Sequence, residues 1–150
     1  GGLAIRRSTR SRYGRRLMID LALSYEEGGF IFLRDIAKKE DISEKYLGQL
    51  IIPLRSAGLI ASKRGAEGGY QLARPPETIT VLEIVEALEG KLVIVDCLRD
   101  EGVCSRASGC AAREIWQKLQ EAIVGTLGTI TLADAVRIAR EKSRFPDYVI

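Results

Sequence analysis

The chain has no histidine among its 150 residues. That removes Ser-His-Asp and Cys-His catalysis, and with them the Cys₂His₂ and Cys₃His zinc sites. No run reaches the roughly 18 apolar residues of a membrane span, so none is expected. The N-terminal residues are rich in arginine and hold no apolar signal core, so a cytoplasmic location is expected. No P-loop occurs, and Gly65, Gly68 and Gly69 do not sit at a strand-to-helix junction, which argues against a nucleotide site. No carboxylates pair in one candidate pocket, so an enzyme is not expected. Internal repeats and low-complexity segments are missing. Cysteines number only three, an odd count unlike a secreted disulfide framework.

What is present is enough for one domain, or a small domain with an appendage. Hydrophobic residues make up 46% and charged residues 29%, so the chain can bury a core. The net charge of +3 is unevenly spread. Residues 1–74 carry 14 Lys and Arg against 8 Asp and Glu, while residues 75–150 carry 9 against 12. A basic first half and an acidic second half point to a nucleic-acid-binding part and a separate partner or sensor part.

The most informative stretch is Leu33 to Leu72. Leu33, Ile36 and Ala37 recur at helical spacing, and Ile42-Ser43 breaks the pattern. Ser43 can cap a second helix, with Glu44 favourably placed against its dipole. Tyr46, Leu47, Leu50, Ile51 and Leu54 form one apolar face of that helix. Ala57-Gly58 stops it. Two helices joined by a tight turn make a helix-turn-helix, whose second helix can enter a major groove. Next, Leu59 to Ser62 and Tyr70 to Leu72 read as strands flanking Lys63, Arg64, Gly65, Ala66, Glu67, Gly68 and Gly69. That is a hairpin with a basic, glycine-rich tip, the wing of a winged helix. Such a tip can bring its backbone close to phosphates.

Around this stretch lie four further expected helices and their connections. Residues 5–16 hold six arginines and no acid, and a helix is expected from about Ser11 to Tyr25, capped by Ser8 or Thr9. Its apolar face is Tyr13, Leu17, Met18, Leu21 and Ala22. Arginines at a helix start oppose the dipole, a cost that phosphate would relieve; a solvated charged arm is the alternative reading. Glu26 to Gly29 is a turn. Arg74-Pro75-Pro76 ends the wing. Thr78 or Thr80 caps a helix over Val81 to Leu88, with Glu83 in capping-box position and Gly90 as its stop. Leu92 to Val95 is a short apolar run. A long helix from about Ala111 to Leu127 carries Ile115, Trp116, Leu119, Ile123 and Leu127 as a stripe too large for a small domain to bury alone, so a dimer helix is expected. Thr131 caps a last helix to about Arg140.

Cys97, Cys104 and Cys110 are spaced C-x6-C-x5-C in a loop without apolar periodicity. Thiolates bind iron–sulfur clusters or zinc, normally with four ligands. Asp96, Asp100, Glu101, Glu114, Ser105 and Ser108 lie near. Reversible disulfide formation and inert thiols are the alternatives.

Together these residues resemble the Rrf-two family of bacterial winged-helix regulators, over roughly residues 5 to 137. The likeness rests on Ser8-Thr9 to Tyr13 with Leu21-Ala22, and on Ile42-Ser43 to Tyr46-Leu47 with Gln49-Leu50. It rests further on Leu54-Arg55 with Ala57-Gly58-Leu59, on Arg64-Gly65 with Gly68-Gly69-Tyr70, and on Ala87 to Gly90 leading into Cys97. The resemblance implies a homodimer with crossing C-terminal helices, bound to a palindromic operator in double-stranded DNA. It places Ser43, Lys45, Tyr46 and Gln49 on the major-groove helix. Lys63, Arg64, Gly65, Gly68 and Gly69 fall on the wing tip in or beside the minor groove, and Arg10, Arg12, Tyr13 and Arg55 at the DNA backbone. Cys97, Cys104 and Cys110 match the cysteines that hold an iron–sulfur cluster (2Fe-2S or 4Fe-4S) in cluster-binding members. Three positions depart from the family, and the gap between Cys97 and Cys104 is one residue longer than in one branch. Gly48 stands where a glutamate is common. Arg113 stands where one branch has a histidine ligand, and Arg12 where another has an aspartate ligand.

The expected architecture is mainly α with a small β-hairpin wing: a winged helix-turn-helix domain plus a long C-terminal dimerisation helix. The division is 5–90 for DNA binding, 91–110 for a cysteine sensor loop, 111–142 for dimerisation helices and 143–150 for a tail. The expected function is a dimeric transcription regulator, a repressor, sensing iron–sulfur status or oxidative or nitrosative stress through the cluster. Two alternatives stand beside it. One is the same regulator without a cluster, sensing by thiol oxidation or a regulatory partner protein. The other is an interaction module that does not bind DNA.

Overall fold

The computed structural model describes residues 9–63, 69–93 and 111–143. Helix α1 spans Thr9–Tyr25, α2 Leu33–Glu40 and α3 Glu44–Ser56. Strands β1 (Ile60–Lys63) and β2 (Gly69–Leu72) follow, then a 3₁₀ turn at Pro76–Thr78, α4 (Val81–Glu89), α5 (Ala111–Thr129) and α6 (Leu132–Lys142). This is the mainly helical winged architecture the sequence implies. Observed helix ends differ from the expected ones by one or two residues, where terminal turns fray. Thr78 closes the 3₁₀ turn, and Thr80 is the cap of α4.

The helix starts and stops follow from local chemistry. Ser43 Oγ accepts from the Tyr46 backbone N–H at 3.0 Å, satisfying a donor that the first turn leaves unpaired. Between α2 and α3, Asp41 adopts a left-handed conformation with φ 53°, which a short polar side chain tolerates better than most. Thr80 and Glu83 form a complete capping box on α4, and Thr131 and Asp134 form another on α6. The second box comes from an aspartate rather than the usual glutamate. Gly58 ends α3 with φ 76°, a backbone conformation that costs glycine nothing.

One core joins these elements. Leu17, Met18 and Leu21 of α1 are fully buried with Leu47, Leu50 and Leu54 of α3, Leu59, Ile79 and Leu132. Ile84 and Leu88 of α4 and Val136 of α6 complete the cluster. Truncating one such leucine to alanine costs about 2–5 kcal/mol. Helix α1 runs through the middle and packs on α3, α4, α6 and β2. At Gly14 its backbone lies so close to Leu88 that a Cβ would overlap that side chain. The hairpin pairs Ile60 with Leu72 and Lys63 with Gly69. Ile31 adds a single bridge to Tyr70, with hydrogen bonds of 2.9 and 2.8 Å in the two directions.

The apolar stripe of α5 is only partly covered: Trp116, Ile123 and Leu127 are half-buried, and Ile115 and Leu119 are exposed. No residue of α5 is buried in the single chain, and Ile115 is 64% exposed. Gln120 of this helix donates to the Leu92 carbonyl. Leu92 and Val93 have no regular structure; the rest of that short run lies outside the described residues.

Candidate nucleic-acid interface

The buried residues of α3 are Leu47, Leu50, Ile51 and Leu54. Helical geometry therefore turns Lys45, Gln49 and Ile52 outward as one stripe. Lys45, Gln49 and Ser43 are exposed, and Ile52 is 66% exposed. Gly48 sits between them. Pro53 lies within the helix and cannot donate to the carbonyl one turn earlier. Arg55 is exposed in the last turn.

Tyr46 is half-buried and points sideways. Its ring meets Tyr13 of α1 edge to face, with centroids 5.9 Å apart and planes at 85°, an arrangement that the ring quadrupoles favour. The Tyr13 ring also lies beneath two guanidinium groups, Arg12 at 4.9 Å and Arg16 at 5.5 Å. Arg12 further donates to the Tyr13 hydroxyl at 3.4 Å. The two tyrosines thus join the arginine-rich start of α1 to the outward face of α3. Arg10 is placed differently. Its Nε donates to the Leu88 carbonyl at 3.2 Å, while Ser11 Oγ donates to Glu89 at 3.1 Å. Arg10 thereby caps the C-terminal end of α4, where a cation suits the dipole.

At the wing, Lys63 is exposed at the end of β1, with its ammonium 5.6 Å from the Phe30 ring centroid. Gly69 is buried, and a Cβ there would come within 3.0 Å of Phe30 Cβ and 3.2 Å of the Ile31 carbonyl. Close packing on residues 30–31 accounts for this glycine. Arg64, Gly65 and Gly68 lie outside the described residues, as do Cys97, Cys104 and Cys110. Sequence reasoning missed Phe30, and also Arg34, whose guanidinium lies 4.8 Å from the Phe32 ring centroid. Both flank the wing base beside Lys63. The only signal for them is the interleaving of aromatic and basic residues in Phe30-Ile31-Phe32-Leu33-Arg34.

A charged cluster adjoins Arg16: Asp20, Lys39 and Glu40 line one cavity with it. Lys39 Nζ is 2.7 Å from the carboxylate of Asp20, whose side chain is 7% exposed. The hydrogen bond to Asp20 holds the Lys39 ammonium above its ordinary pKa, against the effect of burial. Burial pushes the neighbouring Glu40 carboxyl up, and hydrogen bonding and charge from Asp20 push it further. On α4, burial pushes Glu83 up, but hydrogen bonds from Arg74 and Thr80 outweigh it and lower its pKa overall. Arg74 reaches Glu83 Oε2 at 3.0 Å. Among the described residues, no three His, Cys, Asp or Glu side chains gather as a metal site, and no helix is long and apolar enough to cross a membrane.

These features define a winged helix-turn-helix transcription regulator. The chain matches the profile of the Rrf2 family, described as iron-dependent transcriptional regulators, over residues 7–138. It is 44% identical over 132 residues to the Rrf2 protein of Nitratidesulfovibrio vulgaris, covering 88% of this chain and 87% of that one. It is 42% identical over 127 residues to the regulator CymR of Bacillus subtilis, covering 85% and 86%. Its fold matches the solved structure of T. potens IscR with a TM-score of 0.72 at 37% identity, covering 100% of this chain and 96% of that one. The chain belongs to the Rrf2 family, whose named relatives here are transcriptional regulators rather than enzymes.

Proposed function

We propose that the protein binds a palindromic operator as a homodimer, and that Cys97, Cys104 and Cys110 hold an iron–sulfur cluster that tunes this binding. The observation that carries the DNA reading is the outward stripe of α3, flanked on one side by the arginines on Tyr13 and on the other by Lys63. In this reading Ser43, Lys45 and Gln49 face base edges, and Tyr46 and Tyr13 hold the helix at its angle. Arg12, Arg55, Lys63 and the tip residues Arg64, Gly65 and Gly68 meet phosphates and sugars. Arg10 and Gly69 act by shaping their surroundings.

The exposed part of the α5 stripe, Ile115 and Leu119, supports a second copy as its occupant. A 19-residue helix is about 28 Å long, enough for a seam of several turns. In this division the winged helix and the α5 seam are distinct in role, although α6 shares the winged-helix core. The donor set fits a cluster, since three thiolates are suitable iron ligands with one position left for another group. When bound, a cluster supplies a centre sensitive to redox state and to small ligands. Cys110 directly precedes Ala111, the first residue of α5, so a tether there restrains one end of the seam. The other end is anchored to α4 through Thr131. Half-site spacing depends on this geometry.

The test is anisotropy of duplex DNA titrated with anaerobically purified protein at several salt concentrations, with iron and sulfide assays on the same preparation. Arg64→Ala should lower the salt slope by about one unit. Replacing all three cysteines by serine should abolish any response to oxygen or nitric oxide. Unaltered response in that variant removes the cluster from the account. The similarity to CymR supports a second reading, in which thiol oxidation or a partner protein supplies the signal. A preparation free of iron after reconstitution, yet competent to bind DNA, selects it.

A further inference from the structure

Packing among the described residues does not explain two residues on the outward stripe of α3, Gly48 and Ile52. Glycine inside a helix is among the least favourable choices, so Gly48 needs a reason. Crowding is not the reason: among the described residues an ideal Cβ at Gly48 meets only Leu33 Cδ2, at 3.9 Å. Positive φ is not the reason either, since Gly48 is not among the glycines with that conformation. One turn further along, Ile52 places a branched apolar side chain in water at 66% exposure. It does so among Lys45, Gln49 and Arg55, a polar and cationic setting. An apolar side chain there is left uncovered in the single chain, and the cations around it favour a polyanion as its cover.

Resting on the DNA-binding reading, we propose that Gly48 and Ile52 are specificity-determining residues that select an A·T pair in each half-site. The missing side chain at Gly48 lets the α3 backbone approach the groove floor. Ile52 then packs against the C5-methyl of thymine, and Gln49 can pair with the N6 and N7 edge of adenine. A methyl contact of this kind has a clean chemical probe. Deoxyuridine keeps every hydrogen-bonding group of thymine and lacks only the methyl.

The experiment begins with selection of duplexes from a randomised pool by the full-length protein, followed by replacement of each thymine in turn by deoxyuridine. One thymine per half-site should lose about three- to tenfold in affinity on replacement. Ile52→Ala should lose a similar factor on the parent duplex and show no further loss with deoxyuridine. Gly48→Ala should raise the Tm, because alanine favours helix, yet weaken binding to the selected duplex about tenfold. Deoxyuridine without effect at every position, or the same deoxyuridine profile in Ile52→Ala, overturns the inference and leaves DNA binding standing. So does an Ile52→Ala variant altered only in sedimentation, which makes this face a protein contact. Failure to retain any duplex at low salt overturns the DNA-binding reading and this inference with it.

Discussion

Thr80 and Thr131 cap two different helices and are paired with each other. They form an antiparallel bridge, with Val81 N–H donating to the Ile130 carbonyl and Leu132 N–H to the Ile79 carbonyl, each at 2.8 Å. The starts of α4 and α6 are thereby tied together at the point where α5 ends. A cap ordinarily stabilises one helix; here each also helps to hold the α5–α6 junction on the winged helix. Removing the Thr131 hydroxyl should cost about 1 kcal/mol. Because the two caps share a bridge, Thr80→Ala and Thr131→Ala should not add in urea denaturation. Strict additivity would show the caps to be independent.

Gly14 makes a second stability prediction. Gly14→Ala places a methyl against Leu88, and overpacking of this kind costs about 1–3 kcal/mol. The usual benefit of alanine in a helix is too small to offset it. Combining the change with Leu88→Ala should cost less than the sum of the two single changes. Thermal melts of the four proteins check this directly.

The Tyr13–Tyr46 contact connects stability to binding. Tyr13→Leu removes the edge-to-face pair, worth about 0.5–1.5 kcal/mol beyond burial, and also the ring beneath Arg12 and Arg16. Operator affinity should fall further than the loss of folded fraction accounts for, with a shallower salt dependence as the arginines lose their positions. An unchanged salt slope would make the tyrosine pair purely structural.

The carboxyl pair gives a pH prediction. The Glu40 pKa is raised above its ordinary 4.5 by burial and by Asp20. A raised carboxyl pKa contributes stability that is fully present below the ordinary value and is lost as pH rises through the raised one. Once Glu40 ionises, its partly buried charge stands beside Asp20 and costs stability. Glu40→Gln should be more stable than the parent at pH 7, and the gap should close on acidification below about 4.5. The Lys39 ammonium stays charged throughout this window and does not blur it. Denaturation midpoints of both proteins across pH 3–8 measure the difference.

Much of the fold was legible in the sequence because its signals are local. The Ser43 cap, the Thr80–Glu83 box, the Gly58 and Gly90 stops and the apolar spacing of Leu47, Leu50 and Leu54 all act within a turn or two of chain. The stripe of α5 was legible for the same reason, as an apolar period at helical spacing. The outward positions of Lys45 and Gln49 follow from the same spacing, because what faces a core on one side must face solvent on the other.

Other features depended on residues far apart in the chain. Arg10 looks like a free phosphate contact until α1 is laid against α4, where it caps Leu88. Gly69 looks like part of a flexible tip until residues 30–31 are seen to leave it no room for a side chain. The ring contact between Tyr13 and Tyr46, the overlap that forbids a Cβ at Gly14 and the pairing of Thr80 with Thr131 have no spacing that announces them. The sequence by itself determined the helices, their ends and which face of each is apolar, since hydrogen-bond capping and helical period are properties of neighbouring residues. Only the tertiary structure decided which faces meet, because close packing is a relation between surfaces brought together by the fold.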